Sequence, residues 1–168
     1  MRKLGIDYGD ARVGIAITDE LNITVQGLET IHHNGNDKIV LKRLDEIFNE
    51  YNIDTIVIGM PLNMDGSKTF RVEATNKFIH KLKCKYNKMN IVTIDERLTT
   101  VQAHKTMNDL GIKPKNKKNI VDTLSAVYIL ETYVNNKWKI ILYSIANNKT
   151  IWYKDNIESE RRIKNGRK

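Results

Sequence analysis

Residues 2–18, RKLGIDYGDARVGIAIT, contain two apolar segments separated by a short Gly-Asp-Ala turn. Residues 2–8 and 12–18 have the length and composition of β-strands, and the turn at 9–11 predicts that they pair in an antiparallel manner. A third strand is predicted from about residue 24 to 32. The chain therefore begins with a predicted meander of three antiparallel strands.

Helical and strand-like segments alternate after the meander. The run from Ile53 to Met60 is almost continuously apolar, which is typical of a central strand covered on both faces. Strands separated by helices usually join a sheet in parallel through right-handed crossovers. The sequence thus predicts an α/β fold with a five-stranded mixed sheet, three antiparallel strands being followed by parallel ones. The fifth strand is predicted at 90–95. Helices are predicted at 38–51, 69–86, 99–111 and 119–135.

The length of 168 residues suits one domain, which we predict to span residues 1–137. Residues 138–168 depart from the alternating plan. Residues 138–144 and 150–153 resemble strands on either side of Asn147-Asn148, which predicts a C-terminal hairpin followed by a basic tail.

The chain carries a net charge of +8, which favours a polyanionic partner. Residues 138–168 hold eight Lys and Arg against three Asp and Glu, so solubility of a tail is an alternative explanation. No apolar run reaches the roughly 18 residues of a membrane span. The single cysteine, Cys84, excludes an internal disulfide, and no Cys/His cluster has zinc-ligand spacing. We expect a cytoplasmic protein that does not contact membranes.

Asp7 is the first candidate for chemistry. Strand alternation places it on the same face as Gly5 and Gly9, so its carboxylate stands in a patch without neighbouring side chains. Glycine in a strand often marks the close approach of a ligand or of another backbone. The alternative is that Asp7 only caps the turn that follows it.

Two further acidic positions lie far along the chain. Asp95 and Glu96 end a predicted strand, and alternation directs only one of them to the face of Asp7. A structural pair with Arg97 is the alternative. Asp122 shares a helix face with Ser125 and Ala126, where a carboxylate should be paired or bind a metal ion. Its alternative role is a favourable charge near a helix N-terminus.

Asp7, one of the pair at 95–96, and Asp122 come from a first strand, the end of a late strand and the last core helix. This layout allows them to converge at one edge of the sheet. An oxygen-rich acidic cluster suits Mg²⁺ or Mn²⁺, and two such ions would support phosphodiester hydrolysis.

Four motifs, in this order, resemble those of the YqgF/RuvX family. They are GIDYG at 5–9 with RVGIA at 12–16, GMPLNMDGS at 59–67, DERLTT at 95–100, and Asp122 with Ser125-Ala126 and Ile129-Leu130. The resemblance covers about residues 2–135. It implies a ribonuclease H-like fold and a nuclease that processes the 5′ end of precursor 16S ribosomal RNA. It also implies that Asp7, Glu96 and Asp122 are the catalytic, metal-binding acids, with Asp95 as the alternative to Glu96.

Basic and polar residues near the predicted site are candidates for binding the nucleic acid. The loop at 61–68 leads into a helix whose first amides and cations suit a phosphate. Surface turns and solvated lysines are the alternative explanation. The candidates are Arg12, Asn63, Ser67, Lys68, Arg71, Arg97, Lys115, Lys117 and Lys118.

Three functions remain open from the sequence. The first is a metal-dependent nuclease acting on precursor ribosomal RNA, in contact with the ribosome precursor. The second is a Holliday junction resolvase acting on structured DNA, and the third is a ribosome-assembly factor that binds nucleic acid without cleaving it. The sequence does not predict the oligomeric state.

Overall fold

The computed structural model describes residues 1–61, 70–95 and 117–146, with side chains at 120–136 in the last of these ranges. The strands are β1 (Arg2–Tyr8), β2 (Arg12–Thr18), β3 (Val25–His32), β4 (Ile53–Met60) and β5 (Asn90–Asp95). The helices are α1 (Asp37–Glu50), α2 (Phe70–Lys85) and α3 (Lys117–Ala146). The helix predicted at 99–111 lies outside the described residues.

The five strands form one sheet in the order β3-β2-β1-β4-β5. β1 pairs with β2, and β2 with β3, in antiparallel register, whereas β1–β4 and β4–β5 are parallel pairs. The predicted mixed sheet is therefore confirmed. β1 is the central strand of this sheet.

Strand alternation divides the core into two clusters. On one face, side chains such as Leu4 and Ile6 of β1 pack with buried residues of α1 and α2, among them Leu44 and Phe78. On the other face, Ala16 and Val57 pack with a set of buried α3 residues. Helices thus lie on both faces. The α3 set consists of Ala126, Ile129, Leu130, Tyr133 and Val134.

The strand predicted at 138–144 is wrong, because these residues continue α3 as far as Ala146. The segment contains neither glycine nor proline to end the helix, and Trp138, Ile141 and Ile145 also recur at helical spacing. A short apolar run without turn residues cannot be assigned to a strand by composition alone. The second half of the predicted hairpin, 150–153, lies outside the described residues.

The chain divides into two compact units, Met1–Asn136 and Lys137–Lys168. Of the second unit the structure describes residues 137–146, which are helical. In the described ranges, every helix is too short or too polar to traverse a bilayer.

Candidate active site

One edge of the sheet gathers the strand ends that carry the predicted acids. β1, β4 and β5 are parallel, so their carboxyl ends lie at the same edge. β2 runs in the opposite direction, which brings its first residue, Arg12, to that edge. Asp7, Arg12 and Asp95 therefore share one edge, although they need not share a face.

Asp7 lies on the face of the sheet that α3 covers. A Cβ atom placed on Gly5 would lie 2.8 Å from the carbonyl oxygen of Ala126, so the odd-numbered positions of β1 face this helix. Asp7 is two residues further along the same strand and is partly buried. One of the two glycines on the face of Asp7, Gly5, therefore lets the backbone of α3 approach the strand closely.

The N-terminal part of α3 approaches the sheet at Gly14. A Cβ atom on Gly14 would lie only 1.9 Å from the carbonyl oxygen of Asp122, a distance that no side chain tolerates. Gly14 is also the cross-strand partner of Asp7, and Cα atoms of such partners are about 4.5–5.5 Å apart. The missing side chain at Gly14 therefore makes Asp7 and Asp122 close neighbours.

Arg12 pairs with one of these acids. Its Nε donates to Oδ2 of Asp122 at 2.5 Å, and the two side chains are 30% and 20% exposed. Arg12, predicted as a contact for nucleic acid, is thus paired with an acid in the structure. The ion pair fixes the Asp122 carboxylate at the sheet edge and adds a positive charge beside it.

Asp95 is directed to the other face. It pairs with Met60 of β4, whose side chain packs on the cluster of α1 and α2, and Ile91 of the same strand packs there as well. The alternating residues Val92 and Ile94 pack on the α3 cluster. Asp95 is exposed and on the face opposite Asp7, while Glu96 and Arg97 lie outside the described residues.

The predicted nucleic-acid contacts are described only in part. Arg71 is exposed in the first turn of α2. Lys117 and Lys118 lie just before the helix predicted at 119–135, but α3 begins two residues earlier and includes them. Asn63, Ser67, Lys68 and Lys115 lie outside the described residues.

Sequence reasoning missed the structure that supports the turn between Asp7 and Arg12. His33, which follows β3, is buried beneath this turn, and its Nε2 lies 3.0 Å from the carbonyl oxygen of Gly9. Next to it, the Tyr8 hydroxyl donates to Oδ1 of Asp37 at 2.7 Å, and Lys81 Nζ donates to Oδ2 at 2.7 Å. His33 and Asp37 come from segments without a recognisable motif, so no sequence signal could have joined them.

The charges in this cluster are set by these hydrogen bonds. Burial by itself would raise the pKa of the Asp37 carboxyl, but hydrogen bonds from Lys81 and Tyr8 lower the pKa below its ordinary value. Burial and the hydrogen bond to Asp37 raise the pKa of the Tyr8 phenol. Asp37 is therefore the charged acceptor of the cluster and Tyr8 a neutral donor.

The described residues supply part of a metal site. Among them, no group of three His, Cys, Asp or Glu side chains is arranged to hold an ion. Asp7 and Asp122 nevertheless offer hard oxygen donors on the same face. Mg²⁺ commonly takes one or two carboxylates and completes its shell with water and substrate phosphate, so this pair fits such an ion.

The order of the sheet, its helices on both faces and the acids at one edge define a ribonuclease H-like fold. RuvC from Thermus thermophilus, solved in complex with a Holliday junction substrate, is similar in fold, with a TM-score of 0.50 and 13% sequence identity. The similarity covers 82% of this chain and 96% of the RuvC chain.

The particular family follows from the sequence of the first unit. A family model described as "RuvX: Holliday junction resolvase" matches residues 1–136, and the chain belongs to this family. A relative from Ruminiclostridium cellulolyticum is 54% identical over 80% of this chain and 94% of its own length. One from Acetivibrio thermocellus is 47% identical over 84% of this chain and its whole length. Both bear the name "Putative pre-16S rRNA nuclease".

Proposed function

We propose that this protein is a metal-dependent nuclease that hydrolyses phosphodiester bonds at the 5′ end of precursor 16S ribosomal RNA. Membership of the RuvX family and the name shared by relatives of 54% and 47% identity support this substrate. The observation that carries the chemistry is the contact at Gly14, which brings Asp122 beside Asp7. The compartment proposed is the cytoplasm, where bacterial ribosomes are assembled.

Asp7, Asp122 and Glu96 would hold two Mg²⁺ or Mn²⁺ ions. When bound, such ions activate a water molecule and stabilise the leaving oxygen of a phosphodiester. The chain's own part is to fix the two carboxylates on rigid elements, one on a central strand and one on α3. Arg12 orients Asp122 through its 2.5 Å contact.

Strand parity supports Glu96 over Asp95 as the third acid. Asp95 is on the face of α1 and α2, whereas Asp7 and Asp122 are on the opposite face. A strand that continued by one residue would direct the next side chain, Glu96, to the face of Asp7.

Cationic residues around this edge are the proposed contacts for the RNA backbone. Phosphate contacts gain from counterion release whatever the base sequence, so they position the strand without reading it. Arg71 is exposed and well placed for this role at the start of α2. The other proposed contacts are Arg12, Asn63, Ser67, Lys68, Arg97, Lys115, Lys117 and Lys118.

Resolution of four-way DNA junctions is the second candidate function. The description of the matching family model as a Holliday junction resolvase favours it. Both substrates present phosphodiesters to the same acids, so the two functions share a mechanism. They differ in the nucleic acid that surrounds the bond to be cleaved.

The test is cleavage of precursor 16S RNA and of a four-way DNA junction by the purified protein with Mg²⁺ or Mn²⁺. We expect RNA cleavage that is abolished by EDTA and lowered at least about 100-fold by Asp7→Asn, Asp122→Asn and Glu96→Gln, since even indirect supports of a metal site are worth 10–100-fold. Asp95→Asn is the matched control, because it removes a carboxylate from the same edge on the other face.

Each result has a distinct meaning. Cleavage of the junction alone would identify a resolvase. Full activity of the Asp7→Asn and Asp122→Asn variants would exclude the proposed site, and an inactive wild-type protein that still binds precursor RNA would indicate an assembly factor. Loss of activity in Asp95→Asn, together with full activity in Glu96→Gln, would indicate that Asp95 and not Glu96 is the third metal-binding acid.

A further inference from the structure

We propose that His33 is a positioning residue that holds the turn at 9–11, and through it Asp7, in the arrangement required for metal binding and cleavage. This inference rests on the proposed function. It concerns a side chain on the opposite side of the turn from α3, and it assigns His33 no contact with the substrate or the metal.

Residues 33 and 34 bind two of the carbonyl groups of the turn, those of Gly9 and Ala11. The backbone amides of His33 and Asn34 donate to the carbonyl oxygen of Ala11 at 3.0 and 3.1 Å. The His33 ring reaches the other carbonyl, that of Gly9, with Nε2 at 3.0 Å. A carbonyl oxygen can only accept a hydrogen bond, so Nε2 carries the proton.

One further hydrogen bond lies within the turn itself. Within it, Gly9 donates its amide to the carbonyl oxygen of Arg12 at 2.9 Å. This bond closes the turn but does not fix its angle to the sheet. The contacts from residues 33 and 34 do fix it, because they tie the turn to the end of β3 and the start of α1.

Asp37 and Tyr8 lie beside the ring of His33. Its Nδ1 lies 4.0 Å from Oδ1 of Asp37, the carboxylate that also accepts from Tyr8 and Lys81. The Tyr8 ring stacks on Phe78 with centroids 4.3 Å apart and lies 5.5 Å from the His33 ring. Since Tyr8 lies between Asp7 and the turn, the same cluster also fixes the end of the turn next to Asp7.

Packing alone does not explain a histidine at this position. Its side chain is fully buried, and Nδ1 has no hydrogen-bond partner among the described residues. A buried polar atom without a partner costs free energy, and an apolar side chain of similar size would avoid that cost. The Nε2 bond to Gly9 is the contact that an apolar residue could not make.

A second contact between α1 and α2, centred on Asp45, provides a matched control. The Tyr86 hydroxyl donates to Asp45 at 2.9 Å, and Lys85 Nζ donates to the other oxygen of Asp45 at 2.5 Å. This is the arrangement of Tyr8, Asp37 and Lys81, repeated at the far end of α2 without a contact to the turn. Loss of the Tyr86 hydroxyl therefore weakens the packing of α1 on α2 and leaves the turn unchanged.

The test compares His33→Met, His33→Gln and Tyr86→Phe in the full-length protein. Methionine keeps the volume and removes the donor, whereas glutamine places an amide donor near the position of Nε2. The measurements are kcat and KM for precursor RNA, Mn²⁺ affinity by titration without RNA, and amide hydrogen exchange of residues 9–12.

We expect His33→Met to lower kcat at least about tenfold and to weaken Mn²⁺ binding by a similar factor, as the removal of supporting groups around metal sites does. The KM for RNA should change less than about twofold, because all the proposed RNA contacts except Arg12 lie far from the turn in the sequence. His33→Gln should restore most of both losses. Tyr86→Phe should lower the melting temperature without changing kcat or Mn²⁺ affinity.

Equal defects in His33→Met and His33→Gln would overturn the proposal, as would unchanged Mn²⁺ affinity in His33→Met. A wild-type protein that binds Mn²⁺ but cleaves neither RNA nor DNA would refute the proposed function, and the Mn²⁺ series would still decide the role of His33. If the wild type bound no Mn²⁺, exchange at residues 9–12 would decide it: unchanged protection in His33→Met would refute the positioning role.

Discussion

At the scale of single residues, the space at position 14 governs the site. The Asp122 backbone occupies the place where any side chain would begin, with its carbonyl oxygen 1.9 Å from an added Cβ. Because a backbone cannot rotate away as a side chain does, even a methyl group must displace the start of α3. The approach of Asp122 to Asp7 therefore depends on the absence of a Cβ atom at position 14.

Gly14→Ala should accordingly damage both stability and metal binding. We expect a loss of about 1–3 kcal/mol in the free energy of unfolding, the usual cost of overpacking, together with loss of Mn²⁺ binding. Urea denaturation and Mn²⁺ titration measure the two effects.

Gly35→Ala is the control for this substitution. Gly35 has a φ of 83° and nothing within 4 Å of an added Cβ, so alanine there is strained by about 1–2 kcal/mol without a clash. We expect a comparable loss of stability but a much smaller loss of Mn²⁺ affinity than in Gly14→Ala, since Gly35 lies next to the residues that hold the turn and not at the Asp7–Asp122 contact. Equal Mn²⁺ affinities in the two variants would show that the contact at Gly14 is not what assembles the site.

Arg12 should have opposite effects on the two ligands of the site. Its guanidinium competes with a cation for the Asp122 carboxylate, so Arg12→Met should tighten Mn²⁺ binding several-fold while it weakens RNA binding. Arg12→Lys keeps the charge but loses the Nε donor, and it should be intermediate. Calorimetric titration of each ligand gives the two affinities, and an unchanged Mn²⁺ affinity in Arg12→Met would contradict this account.

The faces on which Asp7 and Asp122 lie were predictable, because alternation and helical spacing assign a residue to a face. Asp7 follows Gly5 on one face of β1, and Asp122 shares a helix face with buried Ser125 and Ala126. The support of the turn was not predictable. His33 and Asp37 meet Tyr8 only because β3, α1 and β1 come together in three dimensions, and no periodic pattern encodes that contact.

At the scale of elements, α1 and α2 are joined by two hydrogen-bonded acids, Asp37 and Asp45. Lys81 and Tyr8 bind the first, and Lys85 and Tyr86 bind the second. Burial acts to raise the pKa of both carboxyls, but hydrogen bonds from their lysine and tyrosine partners lower both pKa values below the ordinary value. Both acids are therefore charged in the folded protein across the neutral range.

These shifts make the helix pair sensitive to acid. A carboxyl whose pKa is lower in the folded state stabilises the protein above its ordinary pKa, about 4, and this stability is lost as pH falls toward the folded value. Asp37→Asn should cost about 1.5–3 kcal/mol at pH 7, the worth of hydrogen bonds to a charged group, and should flatten the decline in acid. Urea denaturation from pH 7 to pH 3 tests this, and parallel curves for the two proteins would refute it.

Element boundaries show where sequence patterns fail. The strand limits were predicted closely, since glycine, proline and asparagine interrupt the apolar runs around them. The C-terminal end of α3 was not, because Asn135-Asn136-Lys137 contains no strong helix terminator and the apolar run after it suits either a strand or a helix. Local composition decides a boundary only where a residue is incompatible with the preceding structure.

At the scale of the whole molecule, positive charge is unevenly distributed along the chain. Residues 147–168 contain seven Lys and Arg against three Asp and Glu. Neither the family match nor the acids at the sheet edge extends into this segment. Its expected contribution is therefore to RNA affinity through counterion release and not to the chemical step.

A chain ending at Ala146 separates these two contributions, because it keeps all of α3 and removes only the segment after it. We expect kcat to be unchanged at saturating RNA. The slope of log affinity against log salt should become shallower by about 0.7–0.9 for each RNA phosphate that the shortened chain no longer neutralises. A lower kcat with an unchanged slope would instead place residues 147–168 in the catalytic step, and titrations from about 50 to 200 mM salt distinguish the two.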